Sequence, residues 1–175
     1  MVVCLHQLKT SDSALLPSIT EDSDAEAELG SSDAFPVEDV PSKEVWARLK
    51  DNPATNLIDV RTRAEWAFVG LPDLSSLDKE VVMVEWQTFP DNSIEPGFGA
   101  ALSAQLEALG ASKTSELYFI CRSGGRSLMA AQTLATLGYE RCYNVSDGFE
   151  GRLDANRHRG NLDGWKVSGL PWVQG

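Results

Sequence analysis

The feature that most constrains this chain is an alternation: short apolar runs separated by segments with helical spacing. Val37–Val40, Asn56–Val60, Val81–Val84, Leu117–Ile120 and Arg141–Val145 read as strands, because runs this short and bounded by turn residues suit buried strands better than helices. Between them, Pro41-Ser42 opens a helix that sets Val45, Trp46 and Leu49 on one face. Thr62 and Glu65 form a capping box for a short helix that stops near Gly70. Residues 87–97, with Pro90, Asn92, Pro96 and Gly97, read as a loop. Phe98, Leu102, Leu106 and Leu109 recur at helical spacing before Gly110, and Ser127–Leu137 is a helix closed by Gly138. Gly148 and Gly151 flank a turn after the last of these strands. Strands joined through helices pair in parallel, so the predicted fold is α/β: one domain with a central, mostly parallel sheet and helices on both faces. Ligands of such sheets sit beyond the C-terminal ends of the strands.

Charge sorts the chain into two parts. The net charge is −11; residues 1–36 hold seven acidic side chains and one basic, residues 37–175 hold 19 and 14. Residues 1–35 are rich in Ser, Asp, Glu and Ala and have no aromatic residue before Phe35, so they read as a flexible acidic leader, with the domain at 36–173. The acid balance argues against a nucleic-acid binder, whose affinity comes from neutralising phosphates. No run reaches the roughly 20 apolar residues of a membrane helix, and the start of the chain lacks a secretory pattern, so the expected compartment is the cytoplasm. Cys4, Cys121 and Cys142 show no CxxC or Cys/His spacing, so neither a disulfide framework nor a metal site is expected, and no cofactor is implied.

Cys121-Arg-Ser-Gly-Gly-Arg-Ser127 lies where the fold places ligands, between the strand Leu117–Ile120 and the next helix. Gly124 and Gly125 let the backbone curl and turn successive N–H groups inward. The helix adds its unpaired N-terminal N–H groups and dipole. Arg122 and Arg126 add two positive charges with planar donor forks suited to oxyanions. A thiolate at Cys121 is stabilised in such a cradle without a side-chain base. Ser123 completes the loop, and Ser127 is placed either to cap the helix or to donate to bound sulfur.

This six-residue loop from Cys121 to Arg126 resembles the active-site loop of the rhodanese family. Leu57-Ile-Asp-Val-Arg61 with Glu65-Trp66 resembles that family's upstream signature. Tyr143–Phe149 and Gly169–Trp172 resemble its closing strand, turn and C-terminal segment, so the likeness spans residues 37–173. The resemblance implies a sulfurtransferase: Cys121 takes the outer sulfur of a small anionic donor such as thiosulfate, then passes it to cyanide or a thiol acceptor, including a protein thiol. It makes Arg122, Ser123, Gly124, Gly125, Arg126 and Ser127 the substrate-binding residues. Asp59 and Arg61 become supports of the same sheet edge. Two other readings use the same architecture. One is a sulfur carrier or interaction module without catalysis; the other is a phosphatase or arsenate reductase. Enzymes of the latter kind place five residues between cysteine and arginine, where this chain has four (122–125), which favours attack on sulfur.

Elsewhere, Glu65 needs no role beyond capping, Trp86 or Phe149 is expected at the mouth of the site, and Cys142 in the core. The basic cluster Arg157-His158-Arg159 reads as solvated.

Overall fold

The computed structural model describes residues 34–175, so the proposed leader, 1–35, lies almost entirely outside the described residues. Five strands form one wholly parallel sheet: β1 (Glu38–Val40), β2 (Asn56–Asp59), β4 (Val82–Met83), β5 (Leu117–Ile120) and β6 (Cys142–Val145), in the order β1-β6-β5-β2-β4. β5 is central and buried at every position, which is why its sequence Leu-Tyr-Phe-Ile is apolar without alternation. The helices are α1 (Ser42–Asp51), α2 (Arg63–Val69), α3 (Phe98–Ala108) and α4 (Gly125–Thr136).

Two apolar clusters divide along the pleat. Ile58, Val60, Leu117, Phe119 and Cys121 pack with Phe98, Leu102 and Leu106 of α3 and Ala130, Ala131 and Leu134 of α4. Leu57, Tyr118, Ile120 and Val145 pack instead with Val45 and Leu49 of α1 and with Phe149, Trp165 and Leu170 of the C-terminal segment. Side chains two apart share a face, so these clusters follow directly from strand periodicity. The predicted α/β class with both faces covered is the observed one.

Differences are local. α4 begins at Gly125, two residues before the expected start, and β4 is only two residues long. The sheet's C-terminal edge nevertheless continues: Val84 and Trp86 donate to Asp59 and Val60 at 3.1 and 3.2 Å. A second sheet, not foreseen, pairs β3 (Leu71–Pro72) antiparallel with β7 (Trp172–Val173). Gly70 precedes that pair at φ +100°, where a Cβ would lie 2.4 Å from the Val173 carbonyl, so only glycine permits the approach. Among the described residues no helix is long and apolar enough to cross a membrane.

Candidate active site

β5 ends at Ile120, and the next side chain on its inner face is Cys121, 1% exposed. The loop that follows is fastened through its carbonyls. Cys121 O accepts from Phe149 N at 2.8 Å; Arg122 O accepts from Glu150 N at 2.9 Å and Gly151 N at 3.2 Å. Gly124 adopts φ +94°, and a Cβ there would stand 2.4 Å from the Ser146 carbonyl; at Gly148, φ +64°, it would stand 2.6 Å from Ser123 N. Two glycines from separate segments thus let the cysteine loop nest against the turn after β6. Among the described residues, the backbone N–H groups of Arg122 through Ser127 meet no acceptor, and the first α4 bond is Leu128 N to Gly124 O at 3.1 Å. The carbonyls of Cys121, Arg122 and Gly124 are used and the loop's donors are spare, the arrangement that suits an anion at a helix N-terminus.

The loop arginines differ in their fate. Arg126 is held by both carboxylate oxygens of Glu65, Nη1 at 2.8 Å and Nη2 at 2.6 Å. This corrects the expectation of a second free charge in the loop: Arg126 lines the site but its charge is balanced. It also corrects the reading of Glu65, which both caps α2 and fixes the loop. The capping box is intact, with Glu65 N donating to Thr62 Oγ1 at 3.2 Å and Thr62 N to Glu65 Oε2 at 3.0 Å. Burial opposes the charge of Glu65, but the Arg126 guanidinium and the Thr62 donors outweigh it and hold the carboxyl down to about 2. Arg122 is exposed and, among the described residues, is the loop cation without a carboxylate partner.

Asp59 and Arg61 sit at the end of β2, both wholly buried, joined at 2.6 Å. Arg61 also donates to Gly70 O at 2.8 Å and lies 4.1 Å from the centre of the Phe149 ring. One pair therefore ties the β2 edge to the end of α2 and to the turn behind the cysteine loop. Phe149 is wholly buried and Trp86 is 5% exposed, edge-on to Phe98 at 4.9 Å, so neither lines the mouth. The causes differ: Trp86 is drawn in where the sheet edge runs on past β4 and its backbone N–H reaches Val60 O, whereas Phe149 packs in the cluster on the other face with Trp165 and under Arg61.

The cavity over the loop, about 550 Å³, is lined by Thr62, Ala64, Glu65 and Val69 from α2 and its cap, by Gln87, Phe89 and Asn92, and by Arg122 and Arg126. Phe89, 71% exposed, supplies the aromatic rim that sequence reasoning assigned elsewhere. Residues 87–97 carry no periodicity that would have revealed it, only a single antiparallel bridge, Gln87 to Ile94. A larger cavity, about 820 Å³, lies at the opposite, N-terminal end of β2 around Lys79 and is remote from this chemistry.

Ser127 does not cap α4, whose N-cap is Gly124. Its Oγ lies 3.2 Å from Cys121 Sγ, 3.0 Å from Gly124 O and 2.6 Å from Asn144 Oδ1. Cys142 is buried, and desolvation pushes its thiol up to about 12. It pairs in register with Leu117, four residues before Cys121 and hence about 13 Å along the strand, beyond the reach of a disulfide. His158 is exposed, as expected.

A cysteine between a buried strand and a helix, backed by spare backbone donors at the C-terminal edge of a parallel sheet, defines the site of a rhodanese-like α/β domain. The family model described as the STR4 middle domain matches residues 37–175, and the chain belongs to that family, within the rhodanese-like superfamily. The solved structure of Rv0390 from M. tuberculosis is 46% identical, covers 81% of this chain and 99% of its own, and superimposes with a TM-score of 0.72. An uncharacterized protein of Rickettsia conorii, RC0915, is 38% identical over 137 residues, 78% of this chain and 97% of its own length. A protein of Allochromatium vinosum named a sulfurtransferase is 26% identical over 137 residues, 78% of this chain and 95% of its own.

Proposed function

We propose that the chain is a sulfurtransferase that carries sulfane sulfur as a persulfide on Cys121. The observation that carries this reading is the loop: a cysteine followed by six backbone N–H groups without acceptors among the described residues, beside a cavity that holds Arg122. The name of the A. vinosum relative supports it.

The Cys121 thiolate attacks the outer sulfur of thiosulfate. A Cys–S bond to that sulfur forms, the donor's sulfur–sulfur bond breaks, and sulfite leaves with the electron pair. Cyanide or a thiolate, free or on a protein, then attacks the outer sulfur and returns the electron pair to Cys121. With a net charge of −11, long-range attraction does not gather a dianion; binding rests on Arg122 and on the N–H groups of Arg122, Ser123, Gly124, Gly125, Arg126 and Ser127. The Arg126 guanidinium acts through position rather than charge, and Asp59 and Arg61 hold the edge on which the loop stands. Four residues between Cys121 and Arg126 leave little room for a phosphoryl group, so sulfur is the element transferred. Neither nucleic acid nor membrane enters this reading, and its setting is the cytoplasm.

The test is intact mass after incubation with thiosulfate. A gain of about 32 Da, one sulfur atom, is expected, removable by cyanide and absent in Cys121→Ala. A gain that survives Cys121→Ala, or rapid turnover of aryl phosphates with no thiosulfate:cyanide transfer, overturns the proposal.

A further inference from the structure

Ser127 has one hydroxyl proton and three neighbours that can accept it. Which one receives it decides whether Ser127 donates to the Cys121 sulfur or accepts from it. The answer lies two residues away. Asp39, on the exposed edge strand β1, faces Asn144 of β6 in register, and Asn144 Nδ2 donates to Asp39 Oδ1 at 2.7 Å. An ionised carboxylate only accepts, so the atom of Asn144 that faces it must be the NH2 group, and its carbonyl Oδ1 must face Ser127. A carbonyl only accepts in turn, so at 2.6 Å the Ser127 proton goes to Asn144. This is the shortest of the three contacts. What Ser127 presents to Cys121 at 3.2 Å is a lone pair.

We propose that Asp39, Asn144 and Ser127 form a hydrogen-bond relay that sets the polarity at the active cysteine, with Ser127 accepting from the Cys121 thiol rather than donating to its thiolate. A lone pair at this distance favours the thiol over the thiolate, whereas the loop N–H groups and Arg122 favour the thiolate, so the relay opposes the cradle at one sulfur. Asn144 and Asp39 are positioning residues: neither touches the sulfur, and Asp39 acts from the protein surface through two intermediates. The bearing on sulfur transfer rests on Cys121 being the sulfur carrier; the polarity itself does not.

The test needs no sulfur donor, so its outcome is separate from that of the persulfide experiment. The rate of iodoacetamide alkylation at Cys121 is followed against pH by peptide mass spectrometry, which distinguishes it from Cys4 and Cys142. Charged groups around the sulfur are the Glu65–Arg126 pair from α2 and α4, the Asp59–Arg61 pair from β2, and Arg122 beside it. Asp39 stands on β1, Asp147 follows β6 and is held by Ser42, and Lys166 lies over the Phe149 ring. Ser127→Ala alters none of them. It removes an acceptor of the thiol proton, so the alkylation profile should move to lower pH, by up to about one unit. A serine that donated to the thiolate would give a move to higher pH, and that result, or no move at all, overturns the relay.

Asp39→Asn supplies the second arm and keeps an exposed position exposed. It frees the Asn144 amide to turn, so Ser127 can donate, and the profile should again move to lower pH. In 1 M salt, where exposed charges are screened beyond about 3 Å, the move should persist. Added to Ser127→Ala, Asp39→Asn should produce no further change. An Asp39→Asn effect that vanishes in salt, or that is as large without Ser127, is a charge effect and overturns the proposal.

Discussion

Glu65 and Arg126 stand 61 positions apart in the sequence and meet in a two-pronged ion pair at 2.8 and 2.6 Å, each side chain about one-fifth exposed. The pair fastens the N-terminus of α4 to the N-terminus of α2. The active loop is therefore clamped from both sides, by the turn after β6 through its carbonyls and by α2 through this contact.

The clamp makes stability depend on acid. The Glu65 carboxyl titrates at about 2 in the fold against an ordinary 4.5, so its contribution is fully present above about 4.5 and is lost as pH falls toward 2. The shift sets an upper figure of about 3 kcal/mol. Glu65→Gln should therefore lower the denaturation midpoint at pH 7, and the gap from the parent should narrow steadily below pH 4.5. Urea unfolding at several pH values measures it; a gap that is constant or widens on acidification contradicts the assignment.

Arg122 and Arg126 should separate kinetically. Losing a charge-assisted contact costs about 1.5–3 kcal/mol, or roughly 10- to 150-fold. Arg122→Ala should place that loss in the thiosulfate KM and should show it most at low ionic strength, since this cation is exposed. Arg126→Ala removes a positive charge that is already paired, and so strands the Glu65 carboxylate beside the donor site. It should lower thermal stability together with kcat/KM, whereas Arg122→Ala should leave thermal stability unchanged. Steady-state kinetics at two salt concentrations, with melting curves, check both.

The buried pair Asp59–Arg61 carries its own expectation. Breaking a wholly buried ion pair by removing one partner costs about 3–5 kcal/mol, whereas apolar replacement of both costs far less. Arg61→Met alone should be the more damaging change, and Asp59→Leu with Arg61→Met should recover much of the loss. If the double variant is the less stable of the two, Arg61 matters through Gly70 and Phe149 rather than through Asp59. Denaturant unfolding of the three proteins decides.

How much of this was legible follows the range of each interaction. The capping box of Thr62 and Glu65 could be read directly, because a cap is settled within four residues. The buried strand Leu117–Ile120, and the loop that follows it, were legible for the same reason. The Arg126 partner was not: nothing local marks a carboxylate 61 residues upstream, and Glu65 already had a sufficient role. Asn144 lay in the closing strand with no role of its own, because the partners between which it is buried, Asp39 and Ser127, stand 105 and 17 residues away. The β3–β7 pair has two residues per strand and includes Pro72, too little for any periodicity. Phe89 was missed because a loop has no repeating face, and Trp86 was placed at the mouth because a continued sheet edge is invisible without its partners.

The last prediction concerns the nesting of loop and turn. Gly124 and Gly148 belong to different segments, yet each occupies space the other's neighbours require: a Cβ on Gly124 would stand 2.4 Å from Ser146 O, and one on Gly148 2.7 Å from Arg122 O. Both also sit at positive φ, where alanine is strained by about 1–2 kcal/mol before any clash. The obstructing atoms are backbone, so a side-chain rotation gives no relief. Gly124→Ala and Gly148→Ala should each push the loop off the turn and weaken the bonds from Phe149 N and Glu150 N that hold the Cys121 and Arg122 carbonyls. Gly125→Ala is the control: that glycine begins α4 at ordinary φ with open space around its Cα, so alanine should leave stability unchanged or raised. Hydrogen exchange at Phe149 and Glu150, with persulfide formation at Cys121, measures the coupling. Faster exchange and slower persulfide formation are expected in the first two variants and in neither respect for the third. Equal behaviour of all three would mean that the loop keeps its shape without the turn.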